Sequence, residues 1–423
     1  MADGPDGPDG PDGLDARTRP PVEDWATDYD IFDPAYCADP GPVWAELRER
    51  CPIAHTERWG GSWLPTRYDD VAEMARRVPA LSNQIPIVVP PVPFTDPDTG
   101  EVLRTRPHIP PISSDPPFHT PARRLILPAF APQAVERHAP YTRELAHRLI
   151  DGFAAEGRCD GAVDYAQQIP PRVIAHLLGL DEGRADDFIA WVRGILELGA
   201  TNPDLRVATA QKIFAFFGEE VRKRRAQPTG DFISEILSGD LDGQPVDDDH
   251  AVATCNLLLI AGIDTTWSSI GSALWHLATH PADRRRLVAE PELLATAVEE
   301  LLRVYSPVTM GRIATEDVTI DGVTIPAGDR VLMNFPAANR DPAQFPDPDT
   351  VVIDRAHNRH VAFGIGIHRC AGSNLARMEM QVALSAFLER IPEFEVDGND
   401  GVTWCGGQVR GPRTLPLRFG APR

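Results

Sequence analysis

Residues 248 to 280 read as one long helical segment, and its middle, Leu257 to Ile263, is apolar on every side. A surface helix needs only an apolar stripe, whereas a helix apolar all round has to be buried through the centre of a large protein. With 423 residues, 42% of them hydrophobic and 24% charged, the chain can enclose such a helix. The apolar run falls far short of the roughly 20 residues a membrane span requires. The N-terminus lacks the basic-then-apolar build of a secretory signal. No segment is therefore expected to cross a membrane.

Other helical patterns surround this one, at 42–48, 68–76 and 143–155, and Leu384, Phe387, Leu388 and Ile391 follow helical spacing near the C-terminus. Strand signals are short: 61–65, 318–320, 323–325 and 331–333, with Asp321-Gly322 as a hairpin turn. The expected class is mainly α with a small β region (α+β). Residues 3–13 repeat Asp-Gly-Pro without large apolar side chains, so 1–27 reads as a disordered acidic tail and 28–423 as a single domain. The 42 prolines point to rigid loops between helices.

Charge narrows the function. Against 62 acidic residues stand 41 basic ones, a net charge of −21, which excludes a nucleic-acid binder or a polybasic membrane-surface protein. Six scattered cysteines with no C-x-x-C pair fit a reducing cytoplasm better than a disulfide framework.

The sharpest chemical signal is Phe363-Gly-Ile-Gly-Ile-His-Arg-Cys-Ala-Gly372. Gly364, Gly366 and Gly372 let backbone pass close to something bulky. Backbone N–H groups and the start of the following helix would favour the Cys370 thiolate, which can ligate a metal or act as a nucleophile. The run resembles the haem-binding signature F-x-x-G-x-x-x-C-x-G of the cytochrome P-450 family and matches every fixed position. The resemblance implies that family's fold, a triangular helical domain with the long central helix over the haem. It makes Cys370 the axial thiolate of the iron of haem b (iron protoporphyrin IX). Phe363 and Gly364 would contact the cofactor, and His368 would contact a haem propionate.

Further segments are similar to the family in order and spacing. Glu300-Leu-Leu-Arg303, with Arg355, looks like the helix pair and arginine that anchor the loop beneath the haem. Ala261-Gly-Ile-Asp-Thr-Thr266 looks like the acid–alcohol segment on the helix across the distal face. There Asp264 would relay protons, Thr265 would assist oxygen activation, and Ala261 and Gly262 would border the haem. Thr265 can also bond back to the Ala261 carbonyl, and an N-cap at a helix break is the bland alternative. His119 and Arg123 in Asp115-Pro-Pro-Phe-His119-Thr-Pro-Ala-Arg123, together with Arg312, match propionate contacts. Leu258, Val308, Met310 and Ile85, the last in the proline-rich loop 85–94, are candidate pocket residues.

The resemblance implies a haem monooxygenase that inserts one oxygen atom from O2 into a small hydrophobic or aromatic substrate, by hydroxylation or oxidative dealkylation. Electrons would come from NAD(P)H through a ferredoxin and ferredoxin reductase, docking near Arg123, Arg124, Arg369 and Arg377. A weaker similarity points to haem domains of self-sufficient members fused to a reductase and to stand-alone thiocarbamate-degrading relatives. No reductase segment lies within the 423 residues, so the chain is expected to be stand-alone or an excised haem domain. The alternatives are a peroxide-driven haem peroxygenase and a non-catalytic haem-thiolate binding or sensing protein.

Overall fold

The computed structural model describes residues 19–89, 94, 95, 102–104, 108–398 and 401–420. The Asp-Gly-Pro repeat and residues 90–93 of the proline-rich loop lie outside them. Among the described residues the helices include α1 (His119–Ile126), α2 (Ala139–Phe153), α3 (Ile169–Leu178), α4 (Ala185–Leu196), α5 (Pro203–Ala226), α6 (Asp248–Thr279), α7 (Leu294–Val304) and α8 (Ser373–Arg390).

The apolar segment is the single unbroken helix α6. Asp247 caps it, its carboxylate accepting from the His250 N–H at 2.7 Å, and Asp248 and Asp249 in the first turn complement the helix dipole. It packs against α3, α5 and α8, with Leu259, Ile263, Ile270, Leu274 and Leu277 fully covered. By length and mean hydropathy α6 does meet the requirement for a membrane span, which its short apolar centre had not suggested. Most of its residues are instead buried against protein. At Gly262 α3 comes close, since a Cβ there would lie 2.6 Å from Ile174 Cδ1.

Among the described residues, the β region is one five-stranded sheet, a three-stranded sheet that joins residues 158–160, 394–396 and 416–419, and small two-stranded pairs. Strands β1 (Ile53–Thr56), β2 (Ser62–Pro65), β3 (Leu81–Ser82), β4 (Met310–Ala314) and β5 (Arg330–Met333) lie in the order β1-β2-β5-β4-β3. Only the β2–β5 pair, at Val331 and Trp63, is parallel. The predicted hairpin pairs Val318–Ile320 with Val323–Ile325. Its turn residues Asp321 (φ 45°) and Gly322 (φ 79°) both take the left-handed conformation that a two-residue turn needs. Strand β6 (Gly411–Thr414) packs along α6.

One boundary moves. Part of the stretch expected to be tail, Trp25–Asp28, is a helix capped by Asp24. Trp25 and Ala26 pack against the cluster of Tyr29, Tyr36 and Trp44, and Arg58 pairs with Asp28.

The Glu300 group braces the chain that leads to Cys370. Glu300 and Arg303 are fully buried and joined by two bonds of 2.7 and 2.8 Å. Arg355 Nε reaches both Glu300 oxygens at 3.0 Å, and the Val352 N–H and Asn358 Nδ2 donate to the same carboxylate. Arg303 also donates to the carbonyls of Asn339, Pro348 and Thr350. Burial alone would raise the Glu300 carboxyl, yet these donors hold it below the usual range. Replacing Glu300 with Ala leaves two buried guanidinium groups uncompensated and is expected to cost about 3–5 kcal/mol, read by chemical denaturation. A loss under 1 kcal/mol would refute this bracing role.

Candidate functional site

Residues 363–372 make two turns before α8 begins. Gly364 (φ 71°) and Gly366 (φ 76°) lie in the left-handed region. Gly372 does not, at φ −80°. A Cβ on Gly372 would meet nothing closer than Cys370 Sγ and Phe130 at 3.9 Å, so what its hydrogen preserves is open space beside the sulfur. The loop is held by the Cys370 N–H donating to the Phe363 carbonyl at 2.7 Å, by Arg123 donating to the Arg369 carbonyl and by Arg377 over the Phe363 ring at 4.4 Å. Glu299 fixes Arg377 and His360 in turn. Sequence reading missed Glu299, whose only signal was its place beside Glu300.

Cys370 is exposed, and the space it faces is a partly open cavity lined by protein. Burial pushes the free thiol up, while the Gly372 N–H and Arg123, Arg369 and Arg377 pull the other way. Phe363 and Gly364 line the cavity on the same side. The opposite wall is α6, through Leu258, Ala261, Gly262 and Thr265. Ala261 is exposed in mid-helix for this reason alone. Thr265 Oγ1 donates to the Ala261 carbonyl at 2.9 Å, and the helix continues without the break that a capping role would need. Val308 and Met310 also line the cavity. Ile85 does not, because the Gly311 N–H bonds the Pro86 carbonyl at 2.9 Å and lays that segment along β4.

Basic side chains gather on one side of the cavity. Arg123, Arg312 and His368 line the cavity, and the His119 and His368 rings meet edge to face at 4.4 Å. Asn83, which sequence reading missed, bonds His368 Nδ1 at 3.1 Å. Arg312 Nε, His119 Nε2 and His368 Nε2 are buried with no partner among the described residues. Burial, then the neighbouring Arg312, His119 and Arg123, push His368 down to about 2. Unpartnered buried donors around two guanidinium groups await an anion with several oxygens. With a thiol in the floor and the cleared space at Gly372, the residues fit a flat, dianionic, iron-bearing group.

Comparison with known proteins agrees with this geometry. Residues 197–402 match the family model for cytochrome P450. The mycinamicin IV hydroxylase/epoxidase of Micromonospora griseorubida is 36% identical over 391 residues, spanning 88% of this chain and 94% of that protein. The vitamin D(3) 25-hydroxylase of Pseudonocardia autotrophica is 35% identical over 398 residues, spanning 93% and 96%. The chain belongs to the cytochrome P450 family. The solved structure of cytochrome P450 CYP109Q5 from Chondromyces apiculatus has a TM-score of 0.82 at 33% identity, covering 94% of this chain and 99% of that one. This P450 is thus a haem-binding monooxygenase of mainly helical fold.

Asp264 departs from expectation in its surroundings. It is 1% exposed and absent from the cavity wall. Its Oδ1 accepts from Arg413 of β6 at 2.9 Å and from Ser268 at 3.1 Å. Arg413 is shared, because its Nε donates to Glu197 at 2.9 Å, and Arg193 binds Glu197 as well. Two carboxylates thus compete for Arg413, and only Glu197 has a second cation. Burial raises the Asp264 carboxyl despite Arg413, whereas Glu197 stays low because Arg193 and Arg413 outweigh its burial. Removing the guanidinium with Arg413→Ala strands Asp264, an expected loss of about 3–5 kcal/mol near neutral pH. An acid raised in the folded state loses stability as pH rises, so this deficit should be smallest in acid and grow towards neutral pH. Denaturant titrations of both proteins across pH check this, and a deficit that shrinks on raising pH would contradict it.

Proposed function

We propose that this P450 holds haem b and hydroxylates or oxidatively dealkylates a hydrophobic substrate. In this reading O2 is the oxygen source, and NAD(P)H supplies electrons through a ferredoxin and ferredoxin reductase or a fused reductase. The observation that carries this is the placement of the Cys370 thiol and the Thr265 hydroxyl in the walls of one cavity that Arg123, Arg312 and His368 also line, with Arg312 Nε and His368 Nε2 buried and without a partner among the described residues. Bound haem b would supply oxygen binding and stepwise one-electron acceptance.

The protein's own residues do the rest. Cys370 Sγ is the group to hold the iron. Arg123, Arg312, His119 and His368 are the groups to receive the two carboxylates and fix the ring's orientation. Thr265 presents a hydroxyl whose own proton is committed to the Ala261 carbonyl, leaving its lone pairs to accept from a group in the cavity. Asp264 would relay protons from behind that wall, with Arg413 setting its charge. Leu258, Val308 and Met310 give the substrate an apolar contact surface that excludes water. Relatives named for hydroxylating mycinamicin IV and vitamin D(3) support a hydrophobic substrate.

For the electron donor, the four arginines expected to form a docking face are not equivalent. Arg377 is committed to Glu299 and Arg123 to the Arg369 carbonyl, while Arg124 and Arg369 are exposed, the former paired with Asp242. Nearby in sequence, Phe118 and Ile367 are 74% and 40% exposed and offer apolar contacts to a docking protein. All six cysteines are unpaired, which supports a reducing, cytoplasmic setting.

The test is haem content and optical spectrum, then NADH consumption with surrogate ferredoxin and reductase against hydrogen peroxide alone. Cys370→Ala should abolish the thiolate-ligated spectrum. Thr265→Ala should keep the spectrum but lower product formation by on the order of 10²-fold. An unchanged spectrum in Cys370→Ala overturns the reading, turnover with peroxide only favours a peroxygenase, and none under either regime favours a binding protein. A screen of aromatics, thiocarbamates, macrolides and sterols for a haem spin-state shift identifies the substrate class.

A further inference from the structure

Asn83 is the first residue past β3, which pairs Leu81 with Ala314 and Ser82 with Ile313 of β4. Continuing that register brings Asn83 level with Arg312. Asn83 lines the cavity and is only 1% exposed. Its backbone is fixed from a distant segment, because Asp115 accepts from the Asn83 N–H at 3.1 Å and from the Ser82 hydroxyl. With the backbone held and the side chain buried, the direction of the amide is decided by its neighbours.

Those neighbours leave one arrangement. Asn83 Nδ2 donates to the Ile112 carbonyl and lies 3.1 Å from His368 Nδ1. A carbonyl can only accept, so Ile112 settles which end of the amide is nitrogen. Turned over, the amide would set oxygen against oxygen. The second N–H therefore points at His368 Nδ1, which has to be the bare nitrogen of the ring. An imidazole bare at Nδ1 carries its proton on Nε2. That Nε2 is buried without a partner among the described residues, as is Arg312 Nε, and both residues line the cavity. Two guanidinium groups, Arg123 and Arg312, already match the charge of two carboxylates. A neutral N–H adds a bond there without surplus charge.

We propose that Asn83 is a positioning residue that sets the tautomer of His368, presenting Nε2–H to a haem carboxylate, and ties that donor to the substrate wall at Ile112. One amide does both. Pro111 and Ile112 line the cavity together with Leu257 and Leu258 of α6. They belong to a turn in which the Ser113 N–H donates to the Ile109 carbonyl at 3.0 Å and the Ser114 N–H to the Pro111 carbonyl at 3.2 Å. The chain leaves β3 at Asn83 and comes back to it at Ile112, so this side chain joins both ends of segment 84–111 to the cofactor cradle. The recipient of the Nε2 proton rests on the haem reading, whereas the tautomer is a property of the folded protein.

Long-range proton–nitrogen NMR spectra of the haem-loaded, diamagnetic ferrous carbon-monoxide form read the tautomer, with His368→Gln identifying the signal. Wild type should show His368 protonated on Nε2. In Asn83→Asp the carboxylate can only accept, so the proton should move to Nδ1 and leave Nε2 bare towards the haem carboxylate. Haem transfer from that variant to apomyoglobin should be on the order of tenfold faster than from wild type. Asn83→Leu also frees the Ile112 carbonyl, so the Ser113 and Ser114 amides should exchange with D2O several-fold faster. The proposal is overturned if wild-type His368 bears its proton on Nδ1, if Asn83→Asp leaves the tautomer unchanged, or if Asn83→Leu leaves that exchange unchanged. Should Asn83→Asp fail to fold, the wild-type tautomer and the exchange in Asn83→Leu decide. Haem content is read on the same samples, so a wild type without haem sinks the function while the His368 signal still tests this assignment.

Discussion

A cavity through the middle of a close-packed domain stays open only if its walls are braced from behind. In this P450 the brace is a pair of adjacent carboxylates. Glu300 gathers Arg303, Arg355 and the backbone at Val352, while Glu299 gathers Arg377 and His360. One helix, α7, thereby pins the segment before the cysteine loop and the helix after it. Without that hold, the loop's left-handed glycines would lose more conformational freedom on folding than the few bonds they make could offset.

Much of this was legible in the residues. The all-round apolar centre of α6 announced a buried axis, and the glycine–cysteine run announced the floor of the site, because both are local patterns. The Asp321–Gly322 hairpin was equally plain. What escaped were pairings between distant segments. Nothing in Ala261–Thr266 indicates that Asp264 turns to Arg413, a residue 149 positions later. Asn83 and Glu379 escaped for the same reason. The helix at Trp25–Asp28 escaped because the repeat's composition says nothing about Trp25, which finds its aromatic neighbours only after folding.

The two buried acids show how one helix separates different electrostatic environments. Asp264 and Thr265 are neighbours in sequence, but successive side chains on a helix point about 100° apart. One residue therefore joins an ion-pair network against β6, while the next opens onto the cavity and a row of hydroxyls. Charge is compensated by arginine on the first face, whereas Glu379 of α8, which also lines the cavity, has no cation partner among the described residues and burial pushes its carboxyl up.

The close approach of α3 at Gly262 ties the shape of the chamber to the packing of the core. Ile174 occupies the volume that a side chain at 262 would need, and it also lines the cavity. Space can therefore be traded across that contact. A smaller residue at 174 with alanine at 262 moves bulk from one helix to the other, redrawing the chamber's outline near Thr265 without altering how much of the interior is filled. For anyone reshaping substrate preference, these two positions form one adjustable unit.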